Sequence, residues 1–201
     1  MVQDILPIRI GLTENTDLSS HRKLISICDE IKEAEGRRVS NVGGFQSFDL
    51  NPSIVEETIG NFIRVSVREY LESILFDVDS FNITIENYWL NVNNHGNSNL
   101  RHTHPFVDFA CVYYLKAPEN SGAICLVDPS SELKMRSAFN SHVYTNISMS
   151  KNFAPLALFY KQEPKEGGLI IFPAHVPHEV VASESEDERM SLAFNISVLP
   201  K

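Results

Sequence analysis

Apolar residues recur at helical spacing in the first part of the chain. The polar stretch Asp17–Ser20 offers helix caps, and the apolar positions after it follow the helical period, which predicts a helix ending near Glu35. A second helix is predicted from Asn51–Ser53 to Leu75, with one apolar face that would pack on a sheet. The connection between the two helices, residues 39–51, is predicted to be an irregular polar loop.

From Phe81 the pattern changes to alternating apolar and polar positions, which is typical of β-strands. Together with one strand ahead of the first helix, the predicted strands are Ile5–Leu12, Phe81–Val92, Val107–Leu115, Ala123–Val127, His142–Ser148, Leu156–Tyr160, Gly168–Phe172, Glu179–Val181 and Arg189–Val198. Helices followed by many short strands predict a mainly β fold of the α+β type, with two helices packed on one sheet of a sandwich or jelly roll. We expect one domain over residues 1–201, with the N-terminal strand and helices in 1–80 and the β core in 81–199.

Composition limits the function more than the fold. The net charge is −9 and no dense Lys/Arg block occurs, which makes nucleic acid an unfavourable main partner. Cys28, Cys111 and Cys125 lack CxxC spacing, which predicts free thiols in a reducing cytoplasm, that of the host if a phage encodes the chain. No stretch is typical of a signal peptide or a membrane-spanning helix, so no membrane partner is expected.

Two histidines, His102 and His104, stand just before a predicted apolar strand and are the first candidates for a chemical site. In extended backbone, side chains two residues apart share one face at a separation of about 6–7 Å, so both imidazoles could bind one metal ion. Pro105 favours extended backbone at His104. A third candidate, His178, would join them only if the fold returns its strand to the first pair.

The order of the motifs resembles the iron(II)- and 2-oxoglutarate-dependent oxygenases, and most closely a bacterial and phage branch with a His-x-His-Pro motif. Besides Gly43–Ser47, the motifs that carry this resemblance are His102–Pro105, Val112–Leu115, Ser121-Gly122, Asp128-Pro129, Gly168–Pro173, His178, Arg189–Ser191 and Phe194-Asn195. Each motif is short, and the similarity lies in their order and spacing over about residues 40–198.

The resemblance implies a double-stranded β-helix, a jelly-roll or cupin-like fold, with an iron(II) cofactor and 2-oxoglutarate as small-molecule cosubstrate. It implies that His102 and His178 bind the metal. It also implies that Arg189 and Ser191 hold the far carboxylate of 2-oxoglutarate with help from Tyr114, because a guanidinium fork matches a carboxylate.

The identity of the second metal ligand is an open point in the sequence. The position where this superfamily usually has a carboxylate is occupied by His104, so a set of three histidines is preferred, with Asp108 as the alternative second ligand. Asp108 could take that role only if Pro105 and Phe106 form a sharp bulge. His175 is the alternative to His178.

The activity that follows from the resemblance is that of an oxidoreductase. Such a dioxygenase hydroxylates a primary substrate, here unidentified, and releases succinate and CO2. Two alternatives stay open at this point: a cupin-type metalloprotein that does not use 2-oxoglutarate, and a non-catalytic phage jelly-roll accessory protein. The formation of a homo-oligomer is equally open.

Overall fold

The computed structural model describes residues 8–74, 77–131 and 159–201. Its helices are α1 (His21–Ile31), α2 (Pro52–Glu56) and α3 (Gly60–Ile74), followed by a short 3-10 helix at Val78–Ser80. The strands of these residues are β1 (Gly11–Glu14), β2 (Asn41–Val42), β3 (Phe45–Gln46), β4 (Phe81–Asn93), β5 (Ser98–His102), β6 (Phe109–Lys116), β7 (Ile124–Val127), β8 (Phe159–Gln162), β9 (Gly168–Pro173), β10 (His178–Val180) and β11 (Arg189–Pro200).

The strands form two antiparallel sheets. The larger sheet has the order β1-β9-β6-β11-β4-β3, and the smaller sheet has the order β2-β5-β10-β7-β8. Strands distant in sequence are neighbours in both sheets, which confirms the predicted jelly roll, or double-stranded β-helix. This interleaving matters for function because it brings β5 beside β10, and β6 beside β11, within one barrel.

The helices cover the outer face of the larger sheet. Side chains of α1 and α3, such as Leu24 and Leu71, are fully buried against strand residues such as Leu90 and Phe194. The prediction of helices packed on one sheet is therefore confirmed. A second, smaller apolar cluster lies between the sheets and consists of Ala110, Tyr114, Ile124, Leu126, Ile170, Phe172 and Val176.

The second predicted helix is divided into α2 and α3, so the prediction of one continuous helix was wrong. At the break, the backbone N–H of Thr58 donates to the carbonyl of Val55, which tightens the last turn, and the Thr58 hydroxyl bonds back to Ile54. α3 then begins at Gly60, a residue with poor helix propensity. The local hydrogen bonds of Thr58 thus end α2.

Strand β4 contains a bulge that the alternating sequence pattern does not show directly. Phe194 of β11 pairs with Tyr88, whereas Ile196 pairs with Ile85, so Glu86 and Asn87 together face the single residue Asn195. The helix-facing side changes from odd-numbered to even-numbered residues of β4 across this point, because Ile85 and Tyr88 both pack in the core beneath the helices. A bulge re-aims side chains in this way, and here it turns Asn87 toward the inner face.

The remaining predictions of secondary structure concern the loop at residues 39–51 and two strands. Residues 39–51 contain β2 and β3 and are not an irregular loop throughout, because β2 pairs with β5 and β3 pairs with β4. The strand predicted at Ile5–Leu12 is shifted to Gly11–Glu14, with residues 1–7 outside the described part of the chain. The strand predicted at 142–148 also lies outside the described residues.

Two general expectations concern cysteines and membranes. The thiols of Cys28, Cys111 and Cys125 are free and buried. Among the described residues, no helix has the length and apolar character needed to cross a bilayer.

Two valines of α3 test the packing of the helices on the sheet. Val67 is 2% exposed in the core, whereas Val65 on the opposite face is 48% exposed. We expect Val67→Ala to lower the free energy of unfolding by about 2 kcal/mol because it removes buried methyl groups. Val65→Ala should leave it within about 0.5 kcal/mol of the unchanged protein. Denaturant unfolding measures both, and equal losses for the two variants would contradict this placement of α3.

Candidate metal centre

Three histidines converge at one end of the antiparallel pair that β5 and β10 form. His102 ends β5 and is the register partner of His178, the first residue of β10. His104 lies just beyond β5, and its backbone N–H donates to the carbonyl of Ala174. One ring nitrogen from each of the three histidines lies within 4.8 Å of the others. The pairing of β5 with β10 therefore brings His178 beside His102 and His104, although it lies far from them in the sequence.

The hydrogen bonds of the three rings are alike. Nδ1 of His102 lies 2.7 Å from the carbonyl oxygen of Leu100, and Nδ1 of His178 lies 3.1 Å from that of Val176. Nδ1 of His104 lies 2.6 Å from Oδ1 of Asn195. Carbonyl oxygens only accept hydrogen bonds, so each Nδ1 carries a proton, and in the neutral ring the free lone pair is then on Nε2. The three rings are thus in the tautomer that binds a metal through Nε2.

Burial keeps two of these rings neutral. It lowers the pKa of His178 to about 3, and the neighbouring His102 acts in the same direction. Burial also lowers the pKa of His104, against the effect of its bond to Asn195. Metal ligands must be deprotonated, so this environment favours the form of imidazole that binds a metal.

The donor set fits a divalent transition metal. Imidazole nitrogen suits iron, zinc, copper and nickel, and three donors on one side leave room for further ligands. The two alternative ligands lie outside the cluster. Oδ2 of Asp108 accepts a hydrogen bond from the backbone N–H of Val198 at 2.7 Å, and His175 is exposed on the turn before His178.

Arg189, Ser191 and Tyr114 line the same cavity as the three histidines. Ser191 and Tyr114 are register partners across β11 and β6. Arg189 is 2% exposed, and its Nη1 donates to the carbonyl of Gly122 at 2.6 Å. Gly122 has a φ of +92°, and a Cβ there would collide with the carbonyl oxygen of Val181, so glycine is required where this carbonyl meets the guanidinium.

The guanidinium of Arg189 has unused hydrogen-bonding capacity. Its Nε is buried without a partner, and within the described ranges no carboxylate forms an ion pair with it. Burial lowers the pKa of Arg189, and Tyr114 opposes that shift. A buried cation is costly unless it is paired, so this end of the cavity has the chemistry of an anion site.

The cavity also contains residues that sequence patterns did not assign to the site. The ring of Trp89 lies 5.8 Å from that of His104 and lines the cavity together with Asn91, Asn99 and Ser40. The alternation of β4 could have suggested it, since Trp89 and Asn91 share a face opposite the helix-facing Tyr88 and Leu90. Tyr113, the neighbour of Tyr114 on β6, points away from the cavity toward the helices, where its hydroxyl bonds to His21.

Comparison with known protein families gives one match, to the family described as "Putative 2OG-Fe(II) oxygenase", over residues 87–195. The matched segment includes all three histidines of the cluster, together with Arg189 and Ser191. A comparison with curated proteins gave no match.

Solved structures with this fold include three prolyl hydroxylases. A Pseudomonas putida prolyl-4-hydroxylase is 16% identical with a TM-score of 0.57, and the alignment covers 95% of this chain and 93% of that one. The viral collagen prolyl hydroxylase of Paramecium Bursaria Chlorella virus-1 is 16% identical with a TM-score of 0.55, covering 93% and 94%. A Trichoplax adhaerens prolyl hydroxylase is 14% identical with a TM-score of 0.60, covering 94% and 83%. At these identities the likeness concerns the fold.

The buried imidazole of His178 predicts a pH dependence of stability. Its pKa is about 3 in the folded protein and about 6.5 when unfolded, so below pH 6.5 the unfolded chain binds a proton that the folded chain does not. The metal-free protein should therefore lose stability as the pH falls, with about 2 kcal/mol from this residue at pH 5.

Unfolding of the metal-free protein by denaturant at pH 7 and pH 5 measures this effect. In His178→Gln the loss between the two pH values should be smaller by about 2 kcal/mol. The control His95→Gln removes an imidazole whose side chain is 59% exposed and should keep the full loss. An unaltered loss in His178→Gln would show that this ring does not stay neutral.

Proposed function

The chain belongs to the 2OG-Fe(II) oxygenase family, and we propose that His102, His104 and His178 bind its iron while Arg189, Ser191 and Tyr114 bind 2-oxoglutarate. The reaction oxidises a C–H bond of a primary substrate. One oxygen atom of O2 enters the hydroxylated product, and the other enters succinate as 2-oxoglutarate loses CO2.

One observation carries the assignment of the residues. A cluster of three imidazole nitrogen donors and a buried guanidinium that pairs with no carboxylate among the described residues line a single cavity. A metal-binding site alone would not require the buried cation, and an anion site alone would not require the converging imidazoles. A dianion that reaches both ends of the cavity, such as 2-oxoglutarate, accounts for the two features together.

When bound, iron(II) supplies the O2 activation and the redox chemistry that side chains cannot provide. The acceptor at Nδ1 orients each of the three imidazoles and leaves its Nε2 as the nitrogen that would bind the ion. Because these donors carry no charge, they leave the positive charge of a divalent ion uncompensated. That charge favours an anionic cosubstrate beside it.

At the other end of the cavity, Arg189 and the hydroxyls of Ser191 and Tyr114 offer several donors to a carboxylate. Burial raises the pKa of Tyr114, so its hydroxyl keeps the proton that it donates. Part of the cavity lining is apolar and includes Ala110, Ile124 and Phe172. The ring of Phe172 contacts that of His178 edge-on with centroids 4.7 Å apart. These apolar side chains exclude water from the space that the cosubstrate would fill.

The compartment that we propose is a reducing cytoplasm. The three free thiols support it, since a protein of an oxidising compartment would more often pair its cysteines.

A direct assay tests the proposed activity. Protein supplied with iron(II), 2-oxoglutarate and O2 should take up iron and convert 2-oxoglutarate to succinate, measured by metal analysis and chromatography. His178→Ala should abolish both, because two imidazoles hold the ion too weakly. The exposed His95→Ala serves as the control and should retain both. Intact protein that takes up no iron and leaves 2-oxoglutarate unchanged would refute the proposal.

A second experiment separates the 2-oxoglutarate-dependent enzyme from a metalloprotein without that cosubstrate. In Arg189→Gln, the dissociation constant for 2-oxoglutarate should rise on the order of 100-fold, since a buried charge pair loses one partner. Calorimetry without O2, with cobalt(II) in place of iron(II), measures it. Arg68→Gln is the matched control, because Arg68 pairs with Glu72 and Asp79 on the solvent side of α3. Unchanged affinity in Arg189→Gln would favour the cupin-type alternative.

A further inference from the structure

His104 differs from the other two histidines of the cluster in the group that holds its ring. His102 and His178 each bond to a backbone carbonyl two residues earlier in the chain. His104 instead bonds to a side chain, Oδ1 of Asn195, which is 91 positions away on β11. The orientation of His104 thus depends on one amide group that could equally present an oxygen or an N–H₂.

A chain of hydrogen bonds decides which way this amide faces. Nδ2 of Asn195 donates to Oδ1 of Asn87 at 3.2 Å, and Nδ2 of Asn87 donates to Oδ1 of Asp49 at 3.5 Å. An ionised carboxylate only accepts, and Asp49 also accepts from Arg37 at 3.0 Å. The direction of donation therefore runs from His104 to Asp49, and the oxygen of Asn195 is the atom that faces His104.

The β4 bulge and the packing of Trp89 make this arrangement rigid. The bulge sets Asn87 opposite Asn195, where a regular strand would continue the alternation. The ring of Trp89 lies 5.8 Å from that of His104, and the guanidinium of Arg37 lies 5.8 Å from the ring of Trp89. The indole of Trp89 thus lies between His104, at one end of the hydrogen-bond chain, and Arg37, which bonds to Asp49 at the other end.

From this geometry we infer that Asn195 is a positioning residue that makes His104 a metal ligand through Nε2, with Asn87 and Asp49 fixing the direction of its amide. The inference rests on the proposed function for the metal at His104. Phe194-Asn195 is the last of the motifs that carry the family resemblance, and neither residue is among those proposed to bind the metal or 2-oxoglutarate. The inference gives Asn195 a physical role.

Two substitutions at Asn195 should have opposite effects. Asn195→Leu keeps the size of the side chain but removes the acceptor, so the ring of His104 can change tautomer or turn, and metal affinity should fall about 10-fold or more. Asn195→Asp keeps an acceptor and adds charge, which raises the basicity of the ligand, so affinity should be at least that of the unchanged protein. A residue needed only for packing would not give this contrast.

The experiment uses the full chain and cobalt(II) alone as the probe, without 2-oxoglutarate. Titrations followed by the visible absorption bands of cobalt(II) give the affinity and report the ligand set. Long-range 1H–15N spectra of the metal-free protein give the tautomer of His104 independently of any metal. The matched control is Asn93→Leu, because Asn93 is a buried asparagine of β4 whose amide donates to Asn99 and not to a histidine.

The expected result is weaker cobalt(II) binding, altered absorption and loss of the Nδ1–H tautomer in Asn195→Leu, with none of these in Asn93→Leu. An Asn195→Leu protein with unchanged affinity, spectrum and tautomer would overturn the inference. If intact protein binds no cobalt(II), the proposed metal site fails, and the tautomer in the metal-free protein still decides the role of Asn195.

A further variant covers the case in which Asn195→Leu does not fold. Asn87→Leu leaves Asn195 in place but removes the acceptor of its Nδ2, so the amide can invert. Its cobalt(II) affinity should fall between those of the unchanged protein and a variant without the acceptor, and part of the Nδ1–H tautomer should be lost. If Asn87→Leu matches the unchanged protein in affinity and tautomer, the direction of the chain does not govern His104.

Discussion

The antiparallel pairing of β5 with β10 is the interaction on which the site depends. Its register sets His102 opposite His178, and a slip of one residue would turn one imidazole to the other face of the smaller sheet. His104 lies at the same end of this strand pair, where its backbone N–H donates to the carbonyl of Ala174. The metal centre is thus a product of backbone pairing, and each ring is then aimed by the acceptor at its Nδ1.

The larger sheet contributes the electrostatic half of the site. Arg189 begins β11 inside the barrel, where its burial lowers its pKa and leaves Nε without a partner. Such an arrangement costs free energy in the empty protein, and an anionic ligand removes much of that cost. In the proposed site, relief of this unfavourable charge would contribute to the affinity for a carboxylate. Gly122 permits the close carbonyl contact that holds the guanidinium in place.

The two sheets are coupled at His104. Its ring belongs to the histidine cluster at the end of the β5–β10 pair in the smaller sheet, but its hydrogen-bond partner, Asn195, belongs to the larger sheet. The bulge in β4 brings Asn87 to the same place, so one irregularity in a long strand serves the geometry of a histidine on another sheet. Irregular strand geometry beside a functional site is a recurrent feature of β proteins.

From the sequence alone, periodicity predicted helices packed on one sheet of a sandwich or jelly roll, because it is a local property of the chain. The histidine spacing and the family resemblance supplied the candidates His102, His104, His178, Arg189, Ser191 and Tyr114. Tertiary structure decided which of these residues share a cavity, since that depends on strand pairing between distant segments. The fold also places Asp108 outside the histidine cluster, where its carboxylate accepts a hydrogen bond from the backbone of β11. It brings Asn195 and Trp89 next to His104. The sequence motifs include Asn195, but its role in orienting a ring cannot be read from them, because its partner is fixed only when two sheets close around it.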